Sequence, residues 1–235
     1  MSTKSSRDEI LSAISGALGR EVASMPSSSR RVDDRATDQV IGTAPDEKHA
    51  REELIARFEA ELGRVGGLFY RAATPEEGAQ YIVGVALERK IDTVVGCDGT
   101  LIERVDLQES LAKHGVKLLT ESNDKALIKS AMRAGIGVSR VDYALADTGT
   151  LVLLARKGEA RSISLLPSIH IAVLRPAQIL PGLNELFASL EERLRNGMPS
   201  AITFITGPSR TADIELTLVV GVHGPQHLHV VLLES

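Results

Sequence analysis

Between Thr74 and Ala134 the chain alternates short apolar runs with helix-forming segments, and this alternation limits its fold more than any other feature. Thr74-Pro75-Glu76-Glu77 supplies a hydroxyl cap, a proline in the first turn and a glutamate at the third position, so it predicts a helix running to about Lys90. Thr93–Val95 then reads as a strand, Leu107–His114 as a helix, Val116–Leu119 as a strand and Asp124–Ala134 as a helix. Strands separated by helices predict βαβ units, and hence a mainly parallel sheet covered by helices. Before this stretch, Leu54, Ile55, Phe58, Leu62 and Val65 form a helical stripe.

The second half is richer in strands. Leu151–Ala155 and Ser162–Leu166 flank Arg156-Lys157-Gly158-Glu159, which predicts a hairpin with glycine in its loop. Ile169–Leu174 reads as a buried strand, Leu183–Arg195 as a helix, and Ala201–Thr206, Leu216–Val222 and Leu228–Leu233 as strands. The sheet is therefore expected to be partly mixed. Residues 1–19 carry an amphipathic helix: Ser6 and Glu9 have capping-box spacing, and Ile10, Leu11, Ile14 and Leu18 share a face. Its apolar face can fold back on its own domain or join a second copy in a homo-oligomer, and the sequence leaves both open. Residues 20–44, rich in Ser, Arg and Asp, read as a flexible linker, and 45–235 as one α/β domain.

Composition removes several function classes. The 27 basic and 31 acidic residues give a net charge of -4, and there are four Phe, three Tyr and no Trp. Neither a clustered basic surface nor a base-stacking platform is expected, so nucleic acid is not the expected partner. A single cysteine, Cys97, rules out a disulfide framework and an iron–sulfur cluster held by this chain alone. No apolar run approaches a membrane span and the N-terminus has no signal core, so a cytoplasmic location is expected.

Three glycine- and hydroxyl-rich loops are candidates for holding a small anion: Gly96–Thr100, Asp147–Thr150 and Thr206–Thr211. In open α/β sheets, ligands usually bind beyond the carboxyl ends of strands, where backbone amides face a crevice. None of the three matches a nucleotide-binding fingerprint, and ordinary turn chemistry is the competing explanation. The third loop stands out because Arg210 offers a planar fork, Ser209 and Thr211 add donors, and Asp213 and Glu215 follow on one strand face. Those carboxylates could equally pair with Arg210 and only fix the loop. His227 and His229 would share a strand face, but they lack a recognisable metal-ligand spacing with nearby carboxylates. His170, inside an apolar strand, is either a core histidine or a crevice residue. Cys97 has no evident thiolate-stabilising partner, and no GxSxG elbow is present.

Four segments together resemble the lactate utilization protein C family, whose members contain a LUD domain. They are Ala-Asp-Thr-Gly-Thr-Leu-Val-Leu at 146–153, Leu-Pro-Ser-Ile-His-Ile-Ala-Val at 166–173, Thr-Gly-Pro-Ser-Arg-Thr-Ala-Asp-Ile-Glu at 206–215 and Gly-Val-His-Gly-Pro at 221–225. The resemblance implies a three-layer α/β/α sandwich similar to the NagB/RpiA/CoA transferase-like fold. It further implies a role in oxidising L-lactate to pyruvate beside iron–sulfur partner proteins, as a subunit or accessory protein without a cluster of its own. The motif positions carried over as ligand-binding candidates are Asp147, Thr148, Gly149, His170, Gly207, Ser209, Arg210, Thr211, Asp213, Glu215 and His223. No catalytic residue or cofactor comes with them. A stand-alone enzyme on a phosphorylated or coenzyme A-linked substrate, and a non-catalytic binding module, are the alternatives.

Overall fold

A computed structural model describes residues 45–96, 107–120, 124–155, 161–194, 199–212, 218–221 and 223–234. The expected arm at 1–19, the linker at 20–44, Cys97, Asp213 and Glu215 lie outside the described residues.

The apolar stripe beginning at Leu54 lies on α1 (Pro45–Arg64), which is followed by β1 (Leu68–Ala72). The Thr74 signal opens α2 (Pro75–Glu88): Thr74 Oγ1 accepts the Glu77 N–H at 3.3 Å, and Glu77 Oε2 accepts the Ala73 N–H at 2.8 Å. After it come β2 (Thr93–Gly96), α3 (Leu107–Ala112), β3 (Lys117–Thr120), α4 (Asp124–Ala131) and β4 (Ile136–Arg140). The chain continues through β5 (Tyr143–Leu145), β6 (Thr150–Leu154), α5 (Ser162–Leu165), β7 (Ile169–Leu174) and β8 (Ile179–Leu180). It ends with α6 (Leu183–Leu194), β9 (Ile202–Ile205), β10 (Arg210–Ala212), β11 (Leu218–Val220) and β12 (His227–Leu233).

Six strands form a wholly parallel sheet in the order β1-β12-β7-β4-β2-β3. All six residues of β7 are buried, as the middle of a sheet covered on both faces requires. On one face Ile136, Ile171, Val173 and Val231 pack against Ile82 and Ala86 of α2 and Leu107 and Leu111 of α3. On the other, Ala172, Leu174, Val230 and Leu232 meet Phe58 and Leu62 of α1 and Ala144 and Leu151 of a second sheet. That sheet, ordered β8-β5-β6-β9, holds the mixed pairing: β5 is parallel to β8, and β6 is antiparallel to both β5 and β9. Its outer face, Leu145, Val152 and Leu154, is covered by Leu186 and Leu190 of α6. The α/β class and the mainly parallel sheet are as expected; the mixed part is a separate sheet.

One expected element is corrected. Leu151–Ala155 and Ser162–Leu166 do not form a hairpin. β6 already has β5 and β9 on its two edges, so neither edge is open to a third strand. Ser162–Leu165 turns instead as a short helix, with Ser164 N–H and Oγ both donating to the Arg161 carbonyl at 3.2 and 3.1 Å, and Pro167 follows it.

Candidate functional site

The end of α1 explains much of the site. Gly66 adopts φ +88°, its N–H donates to the Gly63 carbonyl at 3.0 Å, and the Gly67 N–H donates to the Leu62 carbonyl at 2.9 Å. This is a Schellman ending, which needs a left-handed residue and so favours glycine. The Val65 carbonyl projects from it and accepts a hydrogen bond from Arg210 Nη2 at 2.8 Å. Gly207, at φ +82°, packs so closely that an added Cβ would lie 2.5 Å from the same carbonyl oxygen. An added Cβ on Gly149 would lie 2.4 Å from the Leu62 nitrogen.

Two of the three expected loops are therefore braced on one helix end, and they are also tied to each other by a Thr150 Oγ1–Thr206 Oγ1 hydrogen bond of 2.8 Å. Asp147, Thr148 and Gly149 close the β5–β6 hairpin. The Asp147 N–H donates to the Pro181 carbonyl, Thr148 Oγ1 to Asp147 Oδ1, and the Gly149 N–H to the Leu145 carbonyl.

Beside the Gly-Pro-Ser-Arg loop lies a crevice of about 210 Å³ between the two sheets. Its polar walls are His170, Ser164, Thr203, Thr206, Ser209 and His223, and its apolar walls include Leu165, Phe204, Pro208 and Leu228. The Ser209 N–H donates to the Pro225 carbonyl at 2.9 Å, and the Ser209 carbonyl accepts from the Gly221 N–H at 2.8 Å, which locks the 206–210 and 221–225 segments together. An added Cβ on Gly224 would come 3.0 Å from Ser209 Cβ, so the His-Gly-Pro turn depends on glycine for this approach.

Of the expected ligand residues, His170, Gly207, Ser209 and His223 line this crevice, while Asp147, Thr148, Gly149 and Arg210 do not. Thr211 lies in β10, next to the loop. The crevice also lies at the amino ends of β7 and β12, where His170 and Leu228 are the second residues of their strands, and not at the carboxyl ends of the parallel sheet.

His170 is a core and a crevice residue at once. It is 1% exposed, and its Nε2 is 2.8 Å from Ser139 Oγ on β4. Its Nδ1 is buried without a hydrogen-bond partner among the described residues. Burial pushes its pKa down to about 4, with a smaller contribution from His229, so the ring is neutral near pH 7. His229 points to the opposite face, where Nδ1 meets Tyr81 Oη at 2.8 Å; burial, then His227 and Arg89, lower its pKa to about 4. Among the described residues no group of three or more His, Cys, Asp and Glu is arranged to hold a metal ion.

Sequence reasoning did not name Ser139, Ser164, Thr203, Leu165 or Phe204 as site residues. The available signal was the small-residue alternation of Gly137 and Ser139, which marks a sheet face approached closely by another element. Indeed, a Cβ on Gly137 would lie 1.9 Å from the Ile163 carbonyl of α5.

Comparison with known proteins agrees with this architecture. The LUD domain matches residues 55–233. A lactate utilization protein C from Exiguobacterium sp. is 31% identical over 99% of this chain and 98% of its own length. Another, from Halalkalibacterium halodurans, is 35% identical over 66% of this chain and 69% of its own. The crystal structure of a DUF162 family protein from Deinococcus radiodurans shares the fold, with a TM-score of 0.56 and 24% identity over 78% of this chain and 98% of that one. With a domain match over most of its length and a relative aligned from end to end, the chain belongs to the LUD domain family.

Proposed function

We propose that the chain is a lactate utilization protein: a cytoplasmic subunit or accessory protein, without a cluster of its own, of a system oxidising L-lactate to pyruvate with iron–sulfur partner proteins. The observation that carries this reading is the end-to-end similarity to a lactate utilization protein C. The single cysteine supports placing any cluster in the partners. The crevice supports a ligand-holding role, because three of the four resembling segments meet in its walls through His170, Ser209 and His223. In this reading those three residues contact the ligand. Gly207 shapes the wall, the hairpin of Asp147, Thr148 and Gly149 braces the neighbouring loop, and Arg210 holds that loop on the Val65 carbonyl.

A strain lacking the gene, complemented with the wild-type or the Ser209→Tyr chain, tests the assignment. Wild-type complementation should restore growth on L-lactate. Ser209→Tyr, which fills the crevice, should leave growth on glucose normal and abolish growth on L-lactate. Affinity purification of the tagged wild-type chain from lactate-grown cells should recover iron–sulfur proteins with cluster absorbance. Full growth of the Ser209→Tyr strain overturns the crevice assignment, and failure to recover cluster-bearing partners overturns the subunit reading.

A further inference from the structure

The exposed apolar residues are not scattered. Nine large apolar side chains are exposed among the described residues, and seven of them lie on or directly after α4, α5, α6 and β9. These elements are neighbours in the order α4, α5, β9, α6. Ala131 of α4 shares a small core with Ile163 of α5. α5 and β9 both wall the crevice, through Ser164, Leu165, Thr203 and Phe204. Phe204 is paired with Val152, on the sheet face that Leu186 and Leu190 of α6 cover.

The two helices carry matching stripes. Ile128 and Met132 are four residues apart and flank the buried Ala131, while Leu183 and Phe187 are four apart and flank the buried Leu186 and Leu190. Each helix joins two parallel strands, α4 from β3 to β4 and α6 from β8 to β9. The right-handed path of such crossovers turns both stripes inward, the first toward α5 and the second toward β9. Exposed Leu165, Leu166 and Phe204 occupy the space between them, so one apolar face runs from α4 to α6.

Its area is that of an interface. At 41–71% exposure, seven side chains of this size leave on the order of 600 Å² of apolar surface in water. The largest patch on a typical monomer is about 300–600 Å², and a standard interface buries roughly 800 Å² on each partner.

Charge identifies what covers it. Residues 124–133 hold three basic residues and one acidic, whereas residues 183–194 hold three acidic and one basic. Lys125 and Lys129 border the α4 stripe, and exposed Glu191 continues the α6 stripe by one turn. A two-fold axis through the middle of the face reverses its order and sets α4 of one copy against α6 of another. Unlike charges then oppose each other at both ends, with apolar residues meeting between them, so the face is complementary to itself.

We propose that this face is the interface of a symmetric homodimer, in which α4 and α6 of each copy pair with α6 and α4 of the other. Leu165 and Phe204 belong to both the face and the crevice, so the second copy supplies the outer wall of the crevice and each site is complete only in the dimer. The dimer goes beyond the lactate reading and does not rest on it.

Sedimentation equilibrium of the full-length protein tests this. At micromolar concentration the wild-type chain should sediment at twice its monomer mass. Lys129→Glu and Glu191→Lys should each raise the dimer dissociation constant about ten-fold, and a chain carrying both should regain most of the lost affinity, because the reversed charges meet across the axis. Phe187→Ser, at a residue 60% exposed, should weaken the dimer by at least about ten-fold. Leu87→Ser, equally on the surface but on α2 across the parallel sheet, should leave it unchanged. Circular dichroism checks that every variant folds. A wild-type chain that is monomeric at micromolar concentration overturns the proposal. So does a dimer that Phe187→Ser leaves intact, as one held by residues 1–19 would be, or a doubly reversed chain that associates no better than the single variants.

Discussion

His170 and His229 lie in adjacent strands but point to opposite faces of the parallel sheet, and both are kept neutral by burial. An unfolded chain takes up protons on its imidazoles near pH 6.5, whereas these two accept them only near pH 4 in the folded state. Acidification through that window therefore favours the unfolded chain, and stability falls as pH drops from 6.5 towards 4. The loss amounts to at most about 3 kcal/mol for His170. Urea denaturation at about pH 7 and about pH 5 should show the decline, and His170→Gln should lessen it, leaving the part due to His229. A wild-type stability that stays level across this interval would contradict a buried neutral ring. At the same scale, Arg210 shows what a sequence conceals. Its fork was legible as a group seeking an oxygen, but that oxygen is a carbonyl 145 residues away, exposed by the way α1 ends. Nothing local to Arg210 announces it.

Among the elements, α5 is small but decisive for the site. Its Ile163 carbonyl rests directly over Gly137 of β4, and Ser164 and Leu165 form part of the crevice wall. Gly137→Ala should push α5 outward and destabilise the protein by roughly 1–3 kcal/mol, as overpacked interiors do. Thermal denaturation should reveal the loss. Elements with strong local signals were legible: α2 from its hydroxyl cap and proline, and β7 from an apolar run interrupted by His170. β1, β4 and β5 were missed. β4 carries Gly137 and follows Gly135, and β5 is three residues long, so neither has a periodicity that stands out from its flanks. The false hairpin arose because Ser162–Leu165 has strand-like residues, while the occupied edges of β6 decide the matter from a distance.

At the scale of the domain, α1 packs in the core that the two sheets share. Phe58 is fully buried against both and lies edge-on to Phe69 at a centroid distance of 5.9 Å. Phe58→Ala should cost about 3–5 kcal/mol, read from the midpoint of a cooperative denaturation curve. The class of fold was legible from the βαβ alternation, but the place of the crevice was not. Strand order alone directs attention to the carboxyl ends of the parallel sheet, whereas the second sheet leaves its opening at the amino ends of β7 and β12. Both loops that brace this region touch the last turn of α1: Gly149 at Leu62, and Gly207 and Arg210 at the Val65 carbonyl. The three residues Val65–Gly67 therefore have no freedom of length. One residue inserted there would carry the Val65 carbonyl away from both of its neighbours at once, so related chains able to tolerate insertions should place them elsewhere and keep this turn at one size.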